Sequence, residues 1–212
     1  MTAIFSALIF VSTGIPHTPR SGFKSDGRRI FDLIKGGPDT HVELVGLNCM
    51  AILQMEEAAS QLPIEEICSA SQQTTKRNLN VAVLKYFAYL YHESRDEMET
   101  ARNYFEEYLE FEDIYPPGAR GALYVESAFV KAFYDNNLEE AKQLRTLVSP
   151  GAFVLQCDIE ILDAAIAVLE GRFDEARQHI NATRHHLVDL TLPGLKPMFE
   201  RRLVELERRC GN

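Results

Sequence analysis

The residues of this chain that could do chemistry are spaced against the commonest arrangements. The only His-Glu pair, His92-Glu93, is followed by Ser94, Arg95 and Asp96. No second imidazole lies one turn on, and two imidazoles at i and i+4 are what let one helix face hold a zinc ion. His179 and His186 stand seven positions, about two turns, apart, too far for one ion without other ligands, and the intervening Asn181, Thr183 and Arg184 read as a solvated face. The four cysteines, Cys49, Cys68, Cys157 and Cys210, form no Cys-x-x-Cys pair, so neither a zinc knuckle nor a disulfide scaffold is expected and a reducing cytoplasm fits. Cys49 and Cys157 fall inside apolar helical segments and read as small buried hydrophobes. A phosphate-binding glycine loop, a serine elbow and an obvious carboxylate pair are all missing, so an independent enzyme has little support.

Aromatic and acidic residues interleave further on. Tyr104, Phe105, Tyr108, Phe111 and Tyr115 alternate with Glu106, Glu107, Glu110, Glu112 and Asp113. Such a mix can line a groove for a basic peptide, with Tyr104, Tyr108 and Phe111 as the binding candidates. It is also what an amphipathic helix with aromatics inside and carboxylates in water looks like. The formal charge of −9, with no basic stripe after residue 36, argues against a nucleic-acid partner. A protein or peptide partner is expected instead.

The elements that would position these residues are helical. Val125, Phe129, Ala132 and Phe133 form one stripe of a helix, the polar elbow Asp135-Asn136-Asn137 reverses the chain, and Leu138, Ala141 and Leu144 continue an inward face. The elbow recurs twice, at Asp96-Met98-Ala101 and Gly171-Phe173-Ala176, where a turn former, a large residue and an alanine keep the same offsets. Repetition of this kind marks stacked helical hairpins. The units resemble tetratricopeptide repeats, whose second helix opens Gly-x-aromatic-x-x-Ala; Gly171, Phe173 and Ala176 match outright, while Asp96, Met98, Asn136 and Leu138 depart from it. The expected fold is all-α: an α-solenoid of tetratricopeptide-like antiparallel hairpins over residues 38–212, preceded by a short apolar and basic segment, residues 1–37. Helices are expected over 39–60 and 64–70, and the last, carrying Leu203 and Leu206, is expected to cap the final hairpin.

The N-terminal segment has its own character. Ala3 to Val11 is apolar apart from Ser6, about half the length needed to span a bilayer. Arg20, Lys24, Arg28, Arg29 and Lys35 follow, against Asp26 and Asp32, the charge bias of a cytoplasmic flank. The stretch Gly14 to Gly37, GIPHTPRSGFKSDGRRIFDLIKGG, resembles the third metal-ligand motif of site-2-type intramembrane zinc metalloproteases, where an apolar helix ends in a proline-containing loop and an Asp-Gly pair opens the next helix. Asp26 and Gly27 carry the match. The resemblance implies that Asp26 is a zinc ligand in a complete protease and that the helical tail, found in some bacterial members, binds partners at the cytoplasmic face of the membrane, with residues 1–35 supplying membrane association. Without His-Glu-x-x-His the chain alone would hold no cofactor and hydrolyse nothing. The competing expectation is a cytoplasmic tetratricopeptide-like adaptor, without enzymatic activity, that binds a peptide in its concave face.

Overall fold

In the computed structural model, residues 13–16, 24–55, 58–74, 77–149 and 153–211 are described, and among them every regular element is helical. After α1, Asp26–Lys35, the helix α2, Pro38–Gln54, opens on a proline in its first turn and buries Val42, Val45, Cys49 and Leu53. It stops six residues short of the expected end, since the chain passes into a 3-10 turn at Ala59–Gln61, and Met55 is exposed rather than part of the stripe. The third helix, α3, Ile64–Gln73, begins after Pro63 with Glu65 and Glu66 at its positive end.

Three antiparallel hairpins follow: α4, Leu79–Ser94, with α5, Met98–Leu109; α6, Arg120–Phe133, with α7, Leu138–Leu147; and α8, Gln156–Leu169, with α9, Phe173–His186. Asn78 and Asn137 cap α4 and α7, each side-chain oxygen accepting from a backbone N–H three residues on. The repeated elbows are conformationally equivalent. Asp96, Asn136 and Gly171 have φ of 61°, 52° and 72°, the left-handed turn that lets a helix stop and the chain reverse. Glu97 N donates to His92 O and Arg172 N to Ala167 O, closing the first and third elbows alike; the middle one opens a residue wider, with Asn137 N on Lys131 O. Ala101, Ala141 and Ala176 are all fully buried, so the second helix of each hairpin seats its alanine against the first.

The final described helix, α10, Lys196–Arg209, packs on the last hairpin as the sequence leads one to expect, and goes further. It also reaches α4, α6 and α8, the first helices of all three hairpins, and the 3-10 turn ahead of it, Pro193–Leu195, packs on α2. Arg201 donates to the backbone oxygens of Glu93 and Ser94, and Arg209 donates to Phe133 O at 2.7 Å while its guanidinium lies over the Phe133 ring. The helix thus brings guanidinium donors to carbonyls at the C-terminal ends of α4 and α6. Met198, Phe199, Leu203 and Leu206 are buried beneath it, so the side of the stack that an open solenoid would leave free is filled by the chain itself.

Candidate functional site

The Ser25-Asp26-Gly27 junction is built locally. Ser25 Oγ accepts from Arg28 N at 3.2 Å to cap α1 and donates to Ile15 O at 2.8 Å, tying the preceding proline-containing loop to the helix start. Gly27 is required by the approach of that loop: a methyl there would stand 1.8 Å from the Gly14 carbonyl oxygen. Asp26 itself is exposed in the first turn, where a carboxylate is favoured by the helix dipole. Among the described residues no group of three or more His, Cys, Asp or Glu side chains could hold a metal ion, so the donors present do not fit a zinc site. Any ion at Asp26 would take its other ligands from elsewhere.

The helix α1 is oriented against the usual rule. Its charged face turns toward the protein: Lys24 Nζ lies 2.9 Å from Asp32 and 2.8 Å from the buried Glu43, Arg28 Nε 3.0 Å from Asp32, and Arg29 Nε 3.2 Å from Glu43. Thr40 Oγ1 donates to Asp32 O at 2.9 Å. Hydrogen bonding from Lys24, and then from Arg28, holds the Asp32 carboxyl below its ordinary range despite partial desolvation. Ile30, Phe31, Leu33 and Ile34 therefore point away from the core, Ile34 being 82% exposed. No described helix is long and apolar enough to cross a membrane, and the Ala3–Val11 run lies outside the described residues.

The aromatic candidates do not converge on a groove. Tyr104, Tyr108 and Phe111 share the face of α5 and its extension that turns toward α4 and the core. Tyr108 is buried against Tyr86, Phe105 and Tyr115. Tyr104 stacks on His92 at 5.2 Å and meets Cys68 Sγ at 3.1 Å, and Phe111 lies beneath the Arg77 guanidinium. The acidic neighbours are spent on ion pairs or face outward, Arg77 with Asp113 and Lys85 with Glu107 among them. Of the histidines, His92 Nδ1 meets Glu97 at 2.6 Å and His179 Nδ1 meets Glu160 at 2.7 Å, while His185 and His186 border a cleft of about 220 Å³ with Cys157 and Asp189. Burial pushes the Cys49 and Cys157 thiols up to about 12, which removes them as nucleophiles at neutral pH.

One chemical cluster was not signalled by sequence spacing. Arg202, 2% exposed, binds Glu93 through Nε and Nη2 at 2.7 Å each, and Nη2 also donates to Glu126 Oε1 at 2.6 Å and Tyr89 Oη at 2.9 Å. Tyr134 Oη donates to Glu93 at 2.6 Å and Tyr89 Oη to Glu126 at 2.5 Å. The Phe129 ring closes the guanidinium face at 4.3 Å. Burial alone would raise the Glu93 carboxyl; the Arg202 charge and the hydrogen bonds from Arg202, Tyr134 and Tyr89 together more than offset that and hold it below its usual value. Asp158, which accepts from Leu155 N at 3.2 Å to cap α8, is pushed up to about 7 by burial and then by the charge of Glu126. The one available clue was positional: Arg202 falls among Met198, Phe199, Leu203 and Leu206, on the apolar stripe of its own helix. With every polar atom of its guanidinium engaged and no opening to solvent, the cluster is a clamp between helices rather than a reaction centre. Compared with protein-family models, curated proteins and solved structures, the chain matches none.

Proposed function

We propose that this chain is a non-catalytic helical interaction module forming the C-terminal portion of a site-2-type membrane metalloprotease, or of a relative lacking the histidine motif. In this reading it sits at the cytoplasmic face of the membrane. The observation that carries it is the loop-to-helix junction at Asp26: Ser25 and Gly27 are consumed in fastening the loop, and the carboxylate between them is left exposed at the start of α1. That is a suitable way to offer one oxygen donor to a metal held mainly by another segment, since zinc accepts a carboxylate beside imidazoles. The hairpin stack that follows supplies a rigid body whose outer helix faces are free for partners.

The deciding observation is the DNA upstream of the Met1 codon. An in-frame reading encoding His-Glu-x-x-His within an apolar helix is expected. A stop codon in that frame, followed by a ribosome-binding site, would remove the protease ancestry and leave a cytoplasmic tetratricopeptide-like adaptor. The isolated chain is expected to cleave no protein substrate with or without added zinc.

A further inference from the structure

We propose that residues 24–35, with α1 at their centre, form a strap latched to the hairpin body by one buried carboxylate, Glu43, and hinged at Gly36–Gly37, so that loss of the latch frees the strap and leaves the body folded. The two sides of this junction are built differently. On the body side, Val42, Val45, Cys49 and Leu53 of α2 belong to the core, and Thr74 Oγ1 donates to Asp39 Oδ1 at 3.0 Å, fixing the first turn of α2 to the end of α3. On the strap side, Gly27 is the one buried residue of α1, and Ile30, Phe31, Leu33 and Ile34 are all exposed and contribute nothing to the buried core.

What crosses from strap to body among the described residues is mostly charge. The pairs of Lys24 and Arg28 with Asp32 lie within the strap and travel with it. Lys24 Nζ and Arg29 Nε reach across to the two oxygens of Glu43, at 2.8 and 3.2 Å, and the Thr40 hydroxyl on Asp32 O adds one hydrogen bond. Both cations keep part of their side chains in water, and a cleft of about 400 Å³ lined by Lys24, Arg28, Asp32 and Thr40 runs between α1 and the start of α2, so dissolved ions reach the pairs. The surface uncovered on release is polar, Thr40 and Glu43, and a carboxylate returned to water loses its need for a partner. Gly36 and Gly37 have φ of 71° and 117°, and a methyl on either would meet nothing within 4 Å, so the joint has neither side chains nor close neighbours to stiffen it. Movement there changes how far Asp26 stands from the hairpins, and the latch holds whether or not the protease reading above does.

A helix of 10 residues is marginal once detached, so release reads out as amide exchange. Exchange of the full-length chain is followed by mass spectrometry between about 0.05 and about 1 M sodium chloride. Residues 28–35 are expected to exchange about tenfold faster at the high end while residues 42–53 stay protected, the boundary falling at Gly36–Gly37. Glu43→Gln, and separately Lys24→Gln/Arg29→Gln, which removes the same pairs without touching the core, are expected to show the fast strap already at low salt and to lose most of the salt response. Protection of residues 28–35 that neither salt nor these variants change would overturn the proposal, because residues 1–12 or a second copy would then hold the helix. Fast exchange of the unaltered strap at low salt would do the same, leaving no latch to release. Salt sensitivity that survives in both variants would take the latch away from Glu43, and exchange that quickens over residues 28–35 and 42–53 together would make Glu43 a support of α2 rather than a latch; either overturns the proposal.

Discussion

Arg202 compensates two carboxylates that have no other route to water. Replacing it by methionine keeps the volume and strands Glu93 and Glu126, so Arg202→Met is expected to cost about 3–5 kcal/mol in urea denaturation. Adding Glu93→Gln and Glu126→Gln should return most of that loss, because the penalty lies in the unpaired charges. The same region sets a pH profile with two arms. Glu93 is depressed from its usual 4.5, so the stability it confers is present above 4.5 and is lost as pH falls through its lower folded value. Asp158 runs the other way, from 3.8 to about 7. The stability gained from its protonated form is complete below 3.8 and disappears as pH rises through about 7. Melting temperature should therefore peak in mildly acidic buffer, and Asp158→Asn should flatten the decline toward neutral pH.

Each elbow between paired helices turns on one left-handed residue, and only one of the three is glycine. Asn136→Gly is expected to raise stability by about 0.5–1 kcal/mol, whereas Gly171→Ala should lower it by about 1 kcal/mol, both read from the midpoint of thermal unfolding. At the other end of the chain, Gly27→Ala forces the Gly14 carbonyl away from α1 and is expected to increase amide exchange through the first turn of α1 without changing exchange in α4 or α8. The hairpins were legible in the sequence because all their determinants are near neighbours: a turn former, a large residue two positions on and an alanine five positions on from Asp96, Asn136 and Gly171. The orientation of α1 was not. Its periodicity is plain, but a stripe of Ile30, Phe31 and Ile34 carries no sign, and the buried Glu43 that decides which side faces inward belongs to the next helix.

The whole molecule is closed rather than open-ended, and α10 is what closes it. A chain ending at Leu195 would expose Glu93, Glu126, Phe129 and the apolar sides of α4 and α8, and is expected to bind a hydrophobic dye and to lose its cooperative thermal transition. An open solenoid would instead lose only its last unit's share of stability. This closure could not be seen from spacing, because a run such as Glu200-Arg201-Arg202 ordinarily faces solvent and its partners lie far back in the chain. Tyr104, Tyr108 and Phe111 left two readings open for the complementary reason: aromatics beside carboxylates look alike in sequence whether the rings are inside or out, and here Tyr104 and Tyr108 pack on α4 while Phe111 lies against Arg77.

Glu93 is separated from its counter-ion by 109 residues. On the ribosome, the first two hairpins would emerge with their acidic interior unanswered until the segment carrying Arg202 follows. Stepwise consolidation, one hairpin upon the previous, is the habit of repeat proteins. Here it would stall until the segment carrying Arg202 has emerged, making arrival of α10 the event that commits the hairpins to their fold and leaving any product terminated before it recognisable to quality control as unfinished.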